Sequence, residues 1–438
     1  MYSPENIISI FYDQYVLFVG LSVFISTVLY LIVRKQNFGF IDPLNFFWVF
    51  TFGTSYAVVI QLFINGMLSI DSFLIILYFF IVLITSWYFG FNSKFINFGL
   101  RKINLNLNSN GTGLFLFIFL LTYSLLAVFY VVNINWSTFF ISRFEANRGF
   151  GFLARIIDVI RLFVISLIVI KILESKSGIK IKWLLLFLFV LVSSFLNGAK
   201  FSILESTYLI LIIISLRTGK SIKLKAKNIL HFGVLGFFIL AFAIYFTNKL
   251  SESIDYDSKY TNMSPGIEML ILRIIANGDM YYLGLPNDVL FKVSEKTSNF
   301  FELILKPYLG NNLTSKIFSR EVNSDSLNIG RAIWDYWFPY SISGGSTDHF
   351  DLAAYSYFGF FGGTFLVLSI GFFIGRINKF KLLNMRKELD FFSLSFFSIV
   401  YLKSYLLLLS PVVGITTILD VVVIYFLYLI LFKFLQRF

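Results

Sequence analysis

His349 is one of only two histidines in the 438-residue chain, and it stands in the segment Gly344-Gly345-Ser346-Thr347-Asp348-His349-Phe350-Asp351. Imidazole titrates near neutrality, and a neighbouring carboxylate can orient it and raise its basicity. With Asp348 and Asp351 on either side, His349 has the composition of a general base that draws a proton from a hydroxyl. A zinc site does not fit: the chain has no Cys, and the other histidine, His231, falls on the opposite side of the expected membrane.

A second group is cationic. Arg143 and Arg148, followed by Arg155 and Arg161, occupy the segment 134–161 with Glu145 and Asp158 among them. Guanidinium groups hold phosphate bidentately and more rigidly than Lys. The alternative pairs Arg143 or Arg148 with Glu145 and Arg161 with Asp158, or sets these residues against lipid phosphates. Lys200 stands in the tight turn Asn197-Gly198-Ala199-Lys200-Phe201, whose small residues let backbone approach a ligand, with Glu205 five positions on as an internal partner. Read structurally, the same turn is a hairpin with a snorkelling lysine. Lys403 and Asp420 lie in the last two apolar segments, as an ion pair between spans or as a proton relay.

These groups must be positioned by membrane helices. Hydrophobic residues make up 58% of the chain and charged residues 14%, with a mean hydropathy of +0.80, far from a soluble domain. Apolar runs recur at a length that crosses the hydrocarbon core as a helix, without the alternation of a barrel strand. The expected class is an all-α polytopic integral membrane protein of about eleven spans: 15–33, 43–64, 72–90, 113–133, 153–173, 183–197, 201–216, 229–247, 356–375, 391–410 and 415–433. This divides the chain into an N-terminal bundle (1–247), a large loop domain (248–355) and C-terminal helices (356–438).

Basic residues cluster in one set of connections: Arg34 and Lys35; Lys94, Arg101 and Lys102; Lys176 to Lys182; Arg217 to Lys227; Arg376 to Lys387; and the tail. By the positive-inside rule that side is cytoplasmic, which puts 248–355 outside, and no cleavable signal peptide is expected at the N-terminus. The net charge of +12 is spread over short loops, which suits anionic lipid headgroups and not nucleic acid. No P-loop, Rossmann fingerprint or nucleophile elbow occurs. Within the loop domain, Ser264-Pro265 to Gly278 has the signals of a short helix, and a second apolar stretch, 300–305, ends before Pro307. Trp334, Tyr336, Trp337, Phe338 and Tyr340 suit an interfacial belt or a sugar-stacking platform.

With this topology, the turn at 197–200, and His349-Phe350-Asp351-Leu352 running on to Gly359-Phe360-Phe361-Gly362, the chain resembles the O-antigen polymerase and ligase group of bacterial envelope proteins. Phe350 where ligases carry Asn, Tyr357-Phe358 in place of an acidic residue, and Lys200 in place of Arg favour the polymerase. The resemblance implies a multi-pass protein of the bacterial inner membrane with its active site facing the periplasm. It implies transfer of a growing glycan from undecaprenyl pyrophosphate to the terminal sugar of another lipid-linked repeat unit. The leaving group is already activated, so no cofactor is required. Arg143, Arg148, Lys200, Arg273 and Arg331 would form a cationic cradle for the pyrophosphate. His349, oriented by Asp348 or Asp351, would be the base, with no metal assigned. Membrane lipids, a chain-length regulator and a flippase are the expected partners. The alternatives are an O-antigen ligase or other lipid-linked glycosyltransferase, and a lipid-linked oligosaccharide flippase or transporter.

Overall fold

The computed structural model describes residues 2–39, 42–93, 109–141, 146–147, 150–175, 177–197, 201–219, 264–294, 297, 299–318, 328–341, 344–385 and 389–435, together with 241, 244, 245, 248 and 260. In chain order the first helices are α1 (Pro4–Asp13), α2 (Tyr15–Val33), α3 (Asn45–Ile64, opening with a π-helical turn) and α4 (Ile70–Asn92). Then come α5 (Ser109–Asn133), α6 (Trp136–Ile141), α7 (Gly151–Glu174), α8 (Ile179–Asn197) and α9 (Ser202–Thr218). The loop region holds α10 (Pro265–Ile275), α11 (Asp279–Gly284), α12 (Val289–Ser294), α13 (Phe300–Phe318) and α14 (Ile329–Trp337). The last are α15 (Phe350–Asn384), α16 (Phe391–Leu409) and α17 (Pro411–Leu435).

Among the described residues there is no strand, and eight helices are long and apolar enough to cross a membrane: α2, α3, α4, α5, α8, α15, α16 and α17. This is the architecture of an all-α, multi-pass membrane protein. The difference from about eleven expected spans has three sources. Helix α7 forms over the expected span 153–173, but Arg155, Asp158, Arg161 and Lys171 lower its hydropathy. Helix α9 is short, at 17 residues. The span expected at 229–247 lies outside the described residues except for isolated positions.

The chain packs as two units that cut across its linear order. The first comprises Met1–Val82, Ile222–Thr297 and Leu327–Phe365; the second comprises Leu83–Ser221, Ser298–Ser326 and Leu366–Phe438. The expected loop domain is thus divided, with α10–α12 and α14 in the first unit and α13 in the second.

In the first unit α3 is central, with Trp48, Phe52, Ala57 and Val58 fully buried. The short helices close onto it: Gly278 sits against Val58, where a Cβ would come within 2.9 Å. Ser55 Oγ donates to the Asn277 carbonyl (2.7 Å), and Asn277 Nδ2 donates to Thr54 Oγ1 (2.9 Å). Helix α10 ends in a 3-10 turn at Gly278, close to the boundaries its sequence signals predict. Helix α14 is capped by the Asn328 side chain, which accepts from the Arg331 N–H.

In the second unit α7 is the buried axis: Leu162 to Ile165, Leu167, Val169 and Ile170 are all at zero exposure. A helix surrounded by other helices can carry charge where a lipid-facing one cannot, provided partners are supplied. Glycines let α4 and α15 pack backbone to backbone. A Cβ on Gly375 would lie 2.1 Å from the Trp87 carbonyl oxygen, and one on Gly371 would lie 2.0 Å from Ser86 Oγ. Helix α13 does not stop before Pro307 as expected; it continues to Phe318, with a break at Gly310 (φ 71°). Proline lacks only one N–H, and the glycine absorbs the change of direction.

Candidate functional site

Two buried polar clusters stand out, one in each unit. In the first unit His349 immediately precedes α15 and is at zero exposure. Its ring stacks on Tyr281 (4.9 Å between centroids, 12° between planes) and meets Phe52 edge-on at 5.2 Å. Nε2 lies 2.6 Å from the Asn277 carbonyl oxygen. A carbonyl can only accept, so Nε2 carries the proton and Nδ1 is the basic nitrogen. Nδ1 is buried without a hydrogen-bond partner among the described residues. Burial pushes the ring down to about 4, against the backbone hydrogen bond to Asn277, and holds it neutral at physiological pH.

The neighbouring carboxylates are turned to other work. Asp348 accepts from the Gly330 N–H (2.6 Å) and Asn328 Nδ2 (2.8 Å), fixing the start of α14. Asp351 accepts from the Tyr281 hydroxyl (2.7 Å) and the Leu352 N–H (2.8 Å). Tyr281 therefore links Asp351 to the ring of His349 by stacking on it. Asp279 belongs to the same cluster: it accepts from the Thr347 N–H at 2.8 Å, and burial raises its carboxyl to about 7. Sequence reasoning missed Asn277, Asp279 and Tyr281; their one signal was the helix terminator Gly278 beside them.

The cations proposed for a cradle are placed unevenly. Arg143, Arg148 and Lys200 lie outside the described residues. Arg273 is exposed on α10. Arg331 donates to the carbonyls of Ser341 (2.7 Å) and Gly344 (2.8 Å), and its Nε lies 2.8 Å from Asp335 Oδ1. Its guanidinium thus holds the segment leading to His349 against α14. Of the aromatic set, Trp337 Nε1 donates to the Leu283 carbonyl and Trp334 packs against Gly344, while Tyr340 is 96% exposed.

The second unit holds an ionic network. Arg161, 1% exposed, donates to Asp158 Oδ1 (2.7 Å), Glu205 Oε2 (2.8 Å) and Ser206 Oγ (3.1 Å). Lys403 Nζ lies 2.5 Å from Glu205 Oε1 and 3.2 Å from Asp158 Oδ2. Asn197 Nδ2 donates to Asp158 Oδ1 at 2.7 Å. A cavity of about 30 Å³ opens beside Asp158, Arg161, Ser193 and Asn197. Nearby, Arg155 Nε lies 3.2 Å from Asp420 Oδ2. Asp158 with Arg161 is the pairing considered from sequence; Lys403 with Asp420 is replaced, because each has nearer partners of opposite charge. Two cations shared between two carboxylates satisfy the condition for keeping charge among membrane helices.

No family model, curated protein or solved structure matches the chain.

Proposed function

We propose that the chain is a membrane glycosyltransferase that polymerises lipid-linked oligosaccharide repeat units, acting at the outer face of the bacterial inner membrane. The observation that carries this reading is the location of the ionic network along its helices. Asp158 and Arg161 lie in the first half of α7, Asn197 ends α8, Glu205 is near the start of α9, and Lys403 is near the end of α16. These helix ends adjoin the connections that the charge rule assigns to the outside, which are poor in basic residues except for the 134–155 segment. In that orientation polar and cationic groups gather towards the outer ends of these helices, as binding of a lipid-borne pyrophosphate would require, with Arg143, Arg148 and Lys200 in the adjoining connections of the sequence.

In the proposed reaction the acceptor hydroxyl attacks the anomeric carbon of the donor. The bond from that carbon to the pyrophosphate oxygen breaks, undecaprenyl pyrophosphate leaves, and the hydroxyl proton passes to a base. Cations stabilise the departing charge. His349 is neutral, the state a base requires.

A second reading, a flippase or transporter, is favoured by one observation: the network is ionic and charge-balanced among buried helices, as in ion-coupled carriers. Purified protein in proteoliposomes, given undecaprenyl-pyrophosphate-linked repeat units, separates the two. A polymerase produces glycans in whole multiples of the unit and releases undecaprenyl pyrophosphate. Units moved across the bilayer at unchanged length would replace the polymerase by the transporter.

A further inference from the structure

We propose that α13 is a lid over the Arg155–Asp420 pair, with Tyr308 as its catch. The pair is close but poorly satisfied. Arg155 Nη2 is buried without a hydrogen-bond partner among the described residues, while Nε and Asp420 Oδ2 face each other as an ion pair at 3.2 Å without a hydrogen bond. Tyr308 closes the place. Its hydroxyl lies 2.8 Å from Asp420 Oδ1 and 2.9 Å from the Thr416 carbonyl oxygen, and it donates to these acceptors. Its ring stands 5.2 Å from the guanidinium carbon of Arg155, and the Phe152 ring stands 5.9 Å from it.

A buried polar group left without a hydrogen bond is destabilising, and more so when charged. In the closed arrangement Nη2 makes no hydrogen bond among the described residues. Displacing Tyr308 would give the free donor edge of Arg155 to water or to an oxyanion, and a guanidinium edge suits an oxyanion well.

The helix is built to yield at this point. Pro307 removes one helical N–H immediately before Tyr308, and Gly310 breaks the helix two residues after it (φ 71°, ψ 171°). Phe301, Leu313 and Ile317 are more than half exposed. The lid itself does not depend on the polymerase reading. Identifying the arriving oxyanion as the pyrophosphate of a lipid-linked sugar does rest on it.

The chain has no cysteine, so spin labels can be placed on Leu313→Cys and Val413→Cys, both exposed positions (52% and 45%), and their separation read by pulsed electron resonance in proteoliposomes. We expect one short-distance population in the parent. Tyr308→Phe keeps the ring and loses the hydroxyl, and should add a longer-distance population. Inorganic pyrophosphate should move the parent the same way, and Arg155→Gln should abolish that response. Identical distributions with and without the tyrosine hydroxyl would make α13 a fixed clamp and end the proposal. A pyrophosphate response that persists in Arg155→Gln would end the oxyanion part of it. This readout needs no sugar and no turnover, so its failure leaves the polymerase reading standing. Absence of polymer with an intact lid response would remove only the polymerase reading.

Discussion

Lys403 Nζ lies 2.5 Å from Glu205 Oε1, tying α16 to α9 in the interior of the second unit. The lysine had an apparent sequence partner in Asp420, one span later, but that carboxylate is occupied by Arg155 and the Tyr308 hydroxyl. Lys403 turns instead to the network around Arg161, where Asp158 and Glu205 each serve two cations.

Sharing makes each member costly to remove. Glu205→Gln leaves two cations facing one carboxylate, and should destabilise the protein by about 3–5 kcal/mol, the usual cost of breaking a buried pair from one side. In a double-mutant cycle scored by thermal denaturation in detergent, Lys403→Met and Glu205→Gln should be strongly coupled. Lys403→Met and Asp420→Asn should be close to additive. Coupling confined to the second pair would show that the lysine reaches Asp420 instead.

The ring of His349 holds the Asn277 carbonyl, so its structural and chemical duties can be separated. His349→Ala loses that bond and leaves a cavity, at a cost of about 3–5 kcal/mol, as for other large buried side chains truncated to Ala. His349→Gln can still donate to the carbonyl and should recover much of the loss. If the histidine is also the base, the Gln variant should be folded and make no glycan longer than one unit. A full ladder from folded Gln protein would transfer the base role elsewhere.

Acid should act on the first unit through His349 and Asp279 with opposite sign. His349 is held down at about 4 from 6.5, so between those values the unfolded chain binds a proton there that the native chain does not, and stability falls as pH falls. Asp279 is pushed up to about 7 from 3.8, so the native chain keeps a proton that the unfolded chain has released, and stability falls as pH rises through that window. The two contributions partly cancel. Asp279→Asn keeps an acceptor for the Thr347 N–H and removes one of them. Its melting temperature should then drop more steeply than that of the parent as the pH is lowered from about 6.5 to about 4. Parallel curves would mean that Asp279 does not titrate differently on folding.

Close packing in the second unit gives a test independent of charge. Gly375→Val places a side chain where even a Cβ would meet the Trp87 carbonyl oxygen at 2.1 Å. Overpacking of this kind costs about 1–3 kcal/mol or more, so little folded protein should be recovered from membranes. Gly151→Ala, at an exposed position with nothing within 4 Å of a Cβ, should be recovered as the parent is.

Much of the fold was legible from local pattern. Apolar runs marked the helices from α2 to α5 and the last two, Ser264-Pro265 and Gly278 bracketed α10, and a helix formed over 153–173 despite its charges. The candidate site was legible only as residue types. His349, Asp348 and Asp351 do lie together in the first unit, yet the carboxylate expected to orient the histidine is replaced by a carbonyl 72 positions away.

The sequence by itself determined that this is a helical, multi-pass membrane protein. That follows from hydropathy and run length within neighbouring residues. Only the tertiary structure decided the pairings: Lys403 with Glu205 and Asp158, Asp420 with Arg155 and Tyr308, and His349 with Asn277. Helical periodicity sets which face a side chain occupies. Which helix packs against that face depends on the whole packed unit, and buried charges must find their partners there.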